Sequence, residues 1–376
     1  MRFCDWINGY NTKIYSDVSF LYLILCGFQM AKKLIISFLL VFLLSNMIML
    51  KGQNKFFDES KVHHTKSGFT NPYLDKEFEK KKFIDLLRMM SEDRPNPEFK
   101  KSKKINKRSL IDHINSKTDF ITWVGHSTLL LHIKGKLILT DPIFSDRCAP
   151  VQFAGPKRYT NPAISLDSLP PIDIVVISHN HYDHLDKNTV DALKKNQSTK
   201  WFVPLGLKTW FESMGVVNVL ELDWYEEYRF SAGNVTCLPS QHWSKRTLTK
   251  SFDTLWASWS IDVGGFKFWF AGDTGYNGVQ FKEVGEKYGP FDISAIPIGA
   301  YEPRWFMKNY HVNPEESFKI HKDIKSKKTI GIHFGTFILT TEPIDEPKEK
   351  VSKLLEENDI PGNGFIVPKH GEIYFL

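Results

Sequence analysis

The sequence predicts an α/β protein in which two mixed β-sheets pack face to face and helices cover the outer faces. Three observations lead to this architecture. Short apolar segments with strand character recur from about Phe120 to the C-terminus. Hairpin-like strand pairs occur early and late in this region, and helical segments separate the other strands. Several strands end at His or Asp residues, which suggests that the strand ends support a site.

The predicted elements follow from apolar runs, and turn and cap residues bound them. Gly135 and the Gly264-Gly265 pair indicate hairpin turns, and Asn313 before Pro314 indicates a helix start. Strands are predicted at Phe120–Val124, Leu129–Ile133, Lys136–Thr140, Ile174–Ile177, Trp201–Pro204, Val216–Leu220, Val235–Pro239, Trp256–Val263, Phe266–Ala271, Ile293–Pro297, Thr329–Ile332, Gly364–Pro368 and Glu372–Phe375. Helices are predicted at Asn188–Leu193, Lys208–Met214, Pro314–His321 and Glu346–Glu357.

Size and composition fit a globular enzyme. The 376 residues can bury a large core, and 42% hydrophobic and 14% aromatic residues argue against a disordered chain. A formal net charge of +6 is weak support for an anionic partner. The four cysteines have neither CxxC spacing nor the density of a disulfide scaffold, so we interpret them as small buried apolar residues.

Residues 1–51 are predicted to be a leader with a hydrophobic segment. Met30-Ala-Lys-Lys33 precedes the apolar run Leu34–Leu50, which is at the lower limit for a membrane-spanning helix. The pattern predicts a signal peptide or a signal anchor at about 30–50 and a membrane-associated protein, with the side of the membrane left open. A buried core helix is the alternative, and Met30 is itself a candidate start of the chain.

Residues 52–118 are predicted to be a charged N-terminal extension that precedes a catalytic domain at 119–376. Lys80–Met90 has the pattern of an amphipathic helix. Phe99–Arg108 carries six Lys and Arg residues, and we interpret it as a solvated linker, with a polybasic patch for anionic lipid as the alternative. We expect the adjacent His63 and His64 to be exposed and without function.

The densest group of chemically active residues follows the predicted strand Ile174–Ile177. His179, His181, Asp183 and His184 lie within six positions. Side chains two apart in extended backbone point the same way, so His179 and His181 can bind one ion. After a turn, Asp183 and His184 can bind a second. Imidazole and carboxylate ligands suit zinc or a similar divalent metal, whereas the alternative is a solvated polar loop.

Three later residues share this context, because His242, Asp273 and His333 each follow an apolar strand. Two metal sites are therefore predicted, one held by His179, His181 and His242 and the other by Asp183, His184 and His333. Asp273 is predicted to bridge them, since a carboxylate has two oxygens. A pair of such cations can lower the pKa of a shared water toward neutrality, which favours a hydrolytic function.

Other polar residues near these positions have competing interpretations. We expect His126 to support the site or the fold rather than to bind metal. His311 precedes the helix cap Asn313, so it is either an acid or phosphate contact at the mouth of the site or part of the cap. Ser244 lies near His242, but no G-x-S-x-G elbow surrounds it. The sequence also contains no Walker loop and no dinucleotide-binding motif.

On these residues the chain resembles a known family. His179-Asn-His-Tyr-Asp-His184 is similar to the HxHxDH motif of the metallo-β-lactamase superfamily, whose fold is an αββα sandwich. Longer blocks between Phe120 and the C-terminus are more specific, and they resemble the N-acylphosphatidylethanolamine-hydrolysing phospholipase D (NAPE-PLD) family. These blocks are Trp123–Thr128, Leu139–Phe144, Gly155–Arg158, Leu169–Asp173, Trp201–Leu207, Ser240–Trp243, Ala271–Tyr276, Ile296–Lys308, His311–Glu316 and Ile332–Phe337.

The resemblance implies a phospholipase D-type phosphodiesterase with two Zn²⁺ per chain. Such an enzyme hydrolyses N-acylphosphatidylethanolamine to an N-acylethanolamine and phosphatidate. Asp273 and His311 are the implied catalytic residues, and Tyr182, His311 and Gln152 the implied substrate contacts. Lys187 departs from the aromatic residue expected there. The implied partners are a membrane phospholipid and a membrane surface, without nucleic acid, and a homodimer is the candidate assembly.

Two other functions stay open on the sequence. One is a superfamily hydrolase acting on a different phosphodiester or a lactone, such as RNA or a sugar-phosphate lactone; the basic charge mildly favours the nucleic acid. The other is a membrane-tethered binding protein without activity, against which the intact ligand set argues. Iron or manganese would also suit a His/Asp site.

Overall fold

The computed structural model describes residues 54–74, 83–247, 250–358 and 364–376. These residues belong to a unit that begins at Asn54 and runs to Leu376. The predicted leader, including the apolar run at 34–50, lies outside the described residues. Within the ranges given, no helix combines the length and the apolar character needed to cross a bilayer.

Strands make up most of the regular structure, with helices between and outside them. In chain order the described strands are β1 (His64–Thr65), β2 (Gly68–Phe69), β3 (Phe120–Gly125), β4 (Thr128–Ile133), β5 (Lys136–Thr140), β6 (Ile174–Val176), β7 (Lys200–Pro204), β8 (Val219–Leu222), β9 (Glu227–Phe230), β10 (Gly233–Leu238), β11 (Ser258–Val263), β12 (Phe266–Phe270), β13 (Ile293–Pro297), β14 (Thr329–Ile332), β15 (Phe365–Ile366) and β16 (Ile373–Phe375). The described α-helices are α1 (Phe83–Met90), α2 (Lys107–Asn115), α3 (Lys187–Leu193), α4 (Lys208–Ser213), α5 (Gln280–Lys287), α6 (Arg304–Met307), α7 (Pro314–Asp323) and α8 (Glu346–Glu357).

Two seven-stranded mixed sheets form the framework, as predicted. The first has the order β16-β3-β4-β5-β6-β7-β8 and the second the order β15-β14-β13-β12-β11-β10-β9. Each sheet is antiparallel in one half and parallel in the other, with the change at β5 in the first sheet and at β12 in the second. The carboxyl ends of neighbouring parallel strands meet at one edge of a sheet, which is where α/β proteins place ligands.

Alternating side chains explain why both faces of each sheet are covered. In β4, Leu129 and Leu131 join the core between the sheets, whereas Leu130 joins the core under the helices of the first sheet. In β12, Phe268 lies in the same central core, whereas Trp269 packs on the outer side with residues of α5 and α7. Strands buried on both faces appear in sequence as nearly continuous apolar runs. The predicted αββα sandwich is therefore the observed fold.

Several elements differ from the sequence-based expectation. The strand predicted at Val216–Leu220 lies at Val219–Leu222, and α2, α5, α6, β1, β2 and β9 are additional. The helix α2 begins within the segment that we interpreted as a linker. Its cap is Asn106, whose side chain accepts hydrogen bonds from the backbone N–H groups of Arg108 and Ser109. Leu110 of this helix is buried and Ile114, one turn later, is half-buried against the same core, so the apolar repeat covers a single turn and does not by itself predict a helix.

The expectation that His63 and His64 are exposed is wrong, since they are only 4% and 8% exposed. Both rings bind the carboxylate of Asp223, at Nε2–O distances of 2.7 Å and 3.0 Å. The Lys61 ammonium also contacts this carboxylate. These four residues, named the clasp below, connect the segment before β2 to the loop after β8. Whether residues 52–118 act as a separate extension stays a prediction.

Candidate metal centre

All seven predicted metal ligands lie close together at the ends of strands. The loop after β6 carries four of them, and the segments after β10, β12 and β14 carry one each. Six of the seven are part of groups whose potential ligand atoms lie within 4.8 Å of one another: His179, His181 and His242 in one group, and Asp183, His184 and His333, together with His126, in another. The seventh, Asp273, forms a third such group with His242 and His311.

Three imidazoles of the first group direct nitrogens at one another. His181 Nδ1 lies 2.9 Å from His179 Nε2 and 3.3 Å from His242 Nε2. Ligand nitrogens around a tetrahedral zinc, each bonded at about 2.0–2.1 Å, are roughly 3.3 Å apart. The spacing therefore suits a divalent cation held between the three rings.

The second group surrounds two carboxylates. Asp183 Oδ2 lies 3.3 Å from both His184 Nε2 and His333 Nε2, and Asp273 Oδ2 lies 3.1 Å from the same two nitrogens. The same Asp273 oxygen is 3.9 Å from His179 Nε2 and 3.8 Å from His242 Nε2. Asp273 thus reaches both groups, which is the position that a bridging ligand requires.

Hydrogen bonds behind the ligands fix which nitrogen faces the centre. His242 Nδ1 lies 3.0 Å from the Tyr310 carbonyl, to which it donates. His184 Nδ1 is 2.6 Å from Asp141 Oδ2. His179 Nδ1 is 2.8 Å from the Ser178 hydroxyl, which itself donates to Asp141. Because Nδ1 carries the proton in each case, the Nε2 lone pair of each ring points to the centre, as metal binding needs.

Unpartnered buried atoms provide a further test of whether these residues suit a metal. His184 Nε2 and Asp273 Oδ1, which face the ligand groups, are buried polar atoms without a hydrogen-bond partner. Such groups are costly in a protein interior unless something else satisfies them. Imidazoles and carboxylates are also the ligand types that divalent transition metals prefer. The donor set therefore fits divalent cations.

The charges of the centre are strongly coupled. Burial lowers the pKa of His179 and His242 well below the usual range and that of His181 to about 4. Burial also lowers the pKa of His184 and His333, but the nearby negative charge of Asp273 outweighs it. The pKa of His184 is therefore well above the usual range, and that of His333 is raised to about 9. Binding of a cation displaces such protons, because a metal ligand must be a neutral imidazole or a carboxylate.

Asp141 is a site residue that the sequence reasoning did not identify. It follows β5, is fully buried, and accepts hydrogen bonds from the Ser178 backbone N–H and from the Ser178 hydroxyl. Through Ser178 it orients His179, and directly it orients His184, so one carboxylate supports both groups. Its position at the end of an apolar strand, before Pro142, is the signal that could have identified it.

His126 also lies in direct contact with one of the predicted ligands. Its Nε2 lies 3.0 Å from Asp183 Oδ2, and its backbone N–H donates to the Thr336 hydroxyl. His126, Asp141 and His333 have φ angles of 55°, 31° and 61°, a left-handed region that side chains other than glycine seldom adopt. Such conformations are concentrated at functional sites, where the surrounding structure enforces them.

Besides Asp273, three residues are predicted to act in catalysis or substrate binding, and only one of them, His311, faces the centre. His311 Nδ1 is buried without a hydrogen-bond partner and lies 3.9 Å from Asp273 Oδ2, so this side chain faces the centre instead of capping α7. Burial lowers its pKa to about 4. Tyr182 donates its hydroxyl to the Arg246 carbonyl at 2.8 Å, and Gln152 is exposed and bonded to the Arg147 backbone.

Gly272 permits the approach of the second sheet to the metal-binding loop. Its φ is +58°, and a Cβ at this position would lie 2.4 Å from Ser178 Cβ. No larger residue fits without displacing Ser178, which supports His179. The glycine before Asp273 is therefore required for the contact between the two strand ends.

Comparisons with known proteins agree with the fold. Residues 136–334 match the family described as "Beta-lactamase superfamily domain". The chain is 44% identical over 267 residues to N-acyl-phosphatidylethanolamine-hydrolyzing phospholipase D 1 of Caenorhabditis elegans, covering 68% of this chain and 75% of that protein. It is 39% identical to the mitochondrial N-acyl-phosphatidylethanolamine-hydrolyzing phospholipase D of Saccharomyces cerevisiae, covering 62% of this chain and 51% of that protein.

A solved structure extends the comparison to the fold. A metallo hydrolase from the archaeon Ignicoccus hospitalis superposes with a TM-score of 0.52 at 19% identity, covering 69% of this chain and 98% of that one. At this level of identity the likeness concerns the fold alone. Taken with the family match and the two relatives, the protein is a metal-dependent hydrolase that belongs to the NAPE-PLD family of the metallo-β-lactamase superfamily.

Proposed function

We propose that the protein is a di-zinc phosphodiesterase that hydrolyses N-acylphosphatidylethanolamine to an N-acylethanolamine and phosphatidate. The observation that carries the proposal is the position of Asp273 between two groups of ligand atoms, with His311 beside it. The relationship to two proteins whose names state this activity supports the substrate. His179, His181 and His242 would hold one zinc, and Asp183, His184 and His333 the other.

The two cations would supply charge for the phosphate and an acidified water. Asp273 is suited to orient that water, because Oδ2 faces both groups and Oδ1 has no hydrogen-bond partner. The water oxygen forms a bond to phosphorus while the bond from phosphorus to the ethanolamine oxygen breaks. The phosphate stays with the diacylglycerol part, and the proton from water ends on the departing alcohol.

His311 is suited to stabilise the phosphate or the departing oxygen. Its low pKa means that the ring is neutral near pH 7, so it acts as a hydrogen-bonding group whose unpartnered Nδ1 faces Asp273. Tyr182 and Gln152 are proposed to contact the substrate. Each must first leave its present backbone partner, Arg246 or Arg147, to use its polar atoms.

Product analysis with and without a chelator tests the proposal. Purified protein is incubated with N-acylphosphatidylethanolamine, with an RNA oligonucleotide and with a sugar-phosphate lactone, and the zinc content is measured by elemental analysis. We expect N-acylethanolamine and phosphatidate in equal amounts, loss of both on chelation, and recovery when zinc is restored. Cleavage of RNA or lactone with the phospholipid intact would contradict the substrate, and zinc near zero in an active preparation would contradict the metal.

Partners and location follow from a lipid substrate. We propose that the protein works at a membrane surface without a nucleic-acid partner, and that a homodimer is the assembly to test by sedimentation. The yeast relative is named as mitochondrial, a location that belongs to that protein.

A further inference from the structure

Arg246 is a poorly solvated cation to which the proposed chemistry gives no role. It lies four positions after the predicted ligand His242, in the segment that follows this ligand. Its guanidinium carbon lies 4.4 Å from the ring centroid of Tyr182 and 5.0 Å from that of Trp210. Burial lowers the pKa of Arg246 to about 10. Because removing a charge from water is costly, the groups that bind this guanidinium are informative.

One nitrogen of this guanidinium binds both ends of the metal-binding loop. Arg246 Nη1 donates to the Asn180 carbonyl at 3.0 Å and to the Leu185 carbonyl at 2.8 Å. Asn180 and Leu185 are buried, and buried carbonyls need hydrogen-bond donors. The residues between them, 181–184, include three of the predicted metal ligands. A single side chain therefore ties together the two ends of the segment that carries these ligands.

Two further hydrogen bonds join the same loop to the segment after His242. The Lys245 N–H donates to Asn180 Oδ1 at 2.8 Å, and the Tyr182 hydroxyl donates to the Arg246 carbonyl at 2.8 Å. The backbone around Arg246 is thus held against the loop as firmly as its side chain is. The loop and the segment therefore behave as one connected unit.

This connection spans the two groups of potential metal ligands. His242 belongs to one group, and Asp183 and His184 belong to the other. Asp273 Oδ2 lies 3.1 Å from His184 Nε2 and 3.8 Å from His242 Nε2. A carboxylate that reaches both groups tolerates little change in their separation, because ligand bonds to a divalent metal are only about 2.0–2.2 Å long.

We propose that Arg246 is a positioning residue that sets the spacing of the two metal positions by clamping the ends of the loop at 180–185. Its side chain donates to backbone carbonyls, so it acts through the conformation of the loop. A guanidinium suits this role because its N–H donors have fixed directions in one plane and it keeps its charge near pH 7. The proposal rests on the two-metal centre of the proposed function, and it is independent of which substrate is hydrolysed.

Cobalt in place of zinc tests this spacing without reference to turnover. The full chain is loaded with one and then two equivalents of Co²⁺, and visible absorption and electron paramagnetic resonance spectra are recorded. Wild type should bind both ions and show spin coupling between them, since two metals in such a site lie about 3.5–4 Å apart. In Arg246→Met the second ion should bind about 10- to 100-fold more weakly, with reduced coupling, as for other residues that orient ligands.

Arg246→Lys is the second variant, in case Arg246→Met does not fold. It keeps the positive charge but lacks the planar donors of the guanidinium. We expect the same change in the affinity and the coupling of the second Co²⁺, in smaller measure. Wild-type values in both variants, or in Arg246→Lys alone if Arg246→Met does not fold, would overturn the proposal.

Arg158 provides a matched control. Its guanidinium also donates to backbone carbonyls, those of Ser145 at 2.8 Å and Ile143 at 3.0 Å, and lies 5.0 Å from the Phe337 ring centroid. Burial lowers its pKa to about 10 as well, but these carbonyls lie outside the metal-binding loop. Arg158→Met should therefore lower the urea midpoint of unfolding, as Arg246→Met does, and leave the affinity and coupling of the second Co²⁺ unchanged.

The remaining outcomes separate this inference from the proposed function. Equal weakening of the second Co²⁺ in Arg158→Met and Arg246→Met would contradict the positioning role, because both would then act through stability alone. A wild-type chain that binds no second Co²⁺ would contradict the two-metal centre and this inference with it. Wild-type protein that binds both ions but leaves the phospholipid intact would contradict the proposed substrate, and the comparison of the arginine variants would still stand.

Discussion

Two buried His/Asp clusters in this protein have the same residue types and different chemistry. The metal centre contains imidazole and carboxylate groups that face one another without enough protons to satisfy them. The clasp joins His63 and His64 to Asp223, and its ligand atoms are also close enough to be grouped as a potential metal site. What separates the two is the hydrogen bonding around each ring.

In the clasp the carboxylate is already fully partnered. Asp223 accepts from both imidazoles and from the Trp224 backbone N–H, and Lys61 adds a positive charge. The outer nitrogen of His64 accepts from the Asp58 N–H at 3.2 Å. A metal cation bound here would be repelled by the Lys61 ammonium and would displace hydrogen bonds that are already formed. The clasp is therefore a structural connection. Composition and burial alone therefore do not identify a metal site.

The largest expected difference between the clusters is in activity. Asp273→Asn should lower turnover by about 10²- to 10⁴-fold at saturating zinc, because an amide neither bridges two cations as well nor accepts a proton from water. Asp223→Asn should leave turnover within a few-fold. Product formation per folded, zinc-loaded protein is the measurement, and a normal rate in Asp273→Asn would contradict the mechanism.

The next difference concerns metal affinity. Asp141→Asn should weaken zinc binding by about 10- to 100-fold, since it removes the acceptor that orients His184 and Ser178. Competition with a chromogenic chelator measures this directly, without reference to activity. Asp223→Asn is the matched control, and equal affinity in the two variants would mean that Asp141 does not support the ligands.

The free energy of unfolding should show the opposite order, with the larger effect in the clasp. Asp223→Asn should reduce the free energy of unfolding by about 2–4 kcal/mol, because it breaks a buried ion pair and leaves two imidazoles poorly satisfied. Urea unfolding of the zinc-loaded protein at pH 7 is the measurement. A similar loss in Lys61→Met would localise the effect to the clasp, whereas an unchanged unfolding midpoint in Asp223→Asn would refute a structural role.

The smallest expected effect is the change with pH of the difference in unfolding free energy between wild type and Asp223→Asn. Burial raises the pKa of Asp223, but hydrogen bonds from His63 and Lys61 outweigh it and lower the pKa from 3.8 to about 2. A depressed carboxyl pKa contributes stability above the unfolded pKa and loses it as the pH falls through the folded pKa. The difference in unfolding free energy between wild type and Asp223→Asn should therefore be largest above pH 4 and become smaller toward pH 2. A gap that widens on acidification would contradict this assignment.

Periodicity explains how much of the fold could be predicted. The strands of the central layers were predictable because both of their faces are buried, which gives continuous apolar runs. The surface helices α2 and α5 were not predicted, since each has only eight or nine residues and only two side chains in a core, Leu110 and Ile114 in α2 and Phe281 and Val284 in α5. The edge strand β9 has only four residues, and its core-facing side chains, Tyr228 and Phe230, are half-buried, so its alternation is too short to predict a strand.

By itself the sequence determined the sandwich and predicted the loop at 179–184 and the three later candidate ligands, because strand ends and ligand residue types are local features of the chain. Only the tertiary structure decided that Asp141 supports both groups of ligands, and that His63 and His64 are buried on Asp223. These outcomes depend on which atoms meet across sheets and loops distant in sequence. Whether a buried polar atom has a hydrogen-bond partner depends on those tertiary contacts. That difference alone distinguishes the metal centre from the clasp, which contains the same residue types.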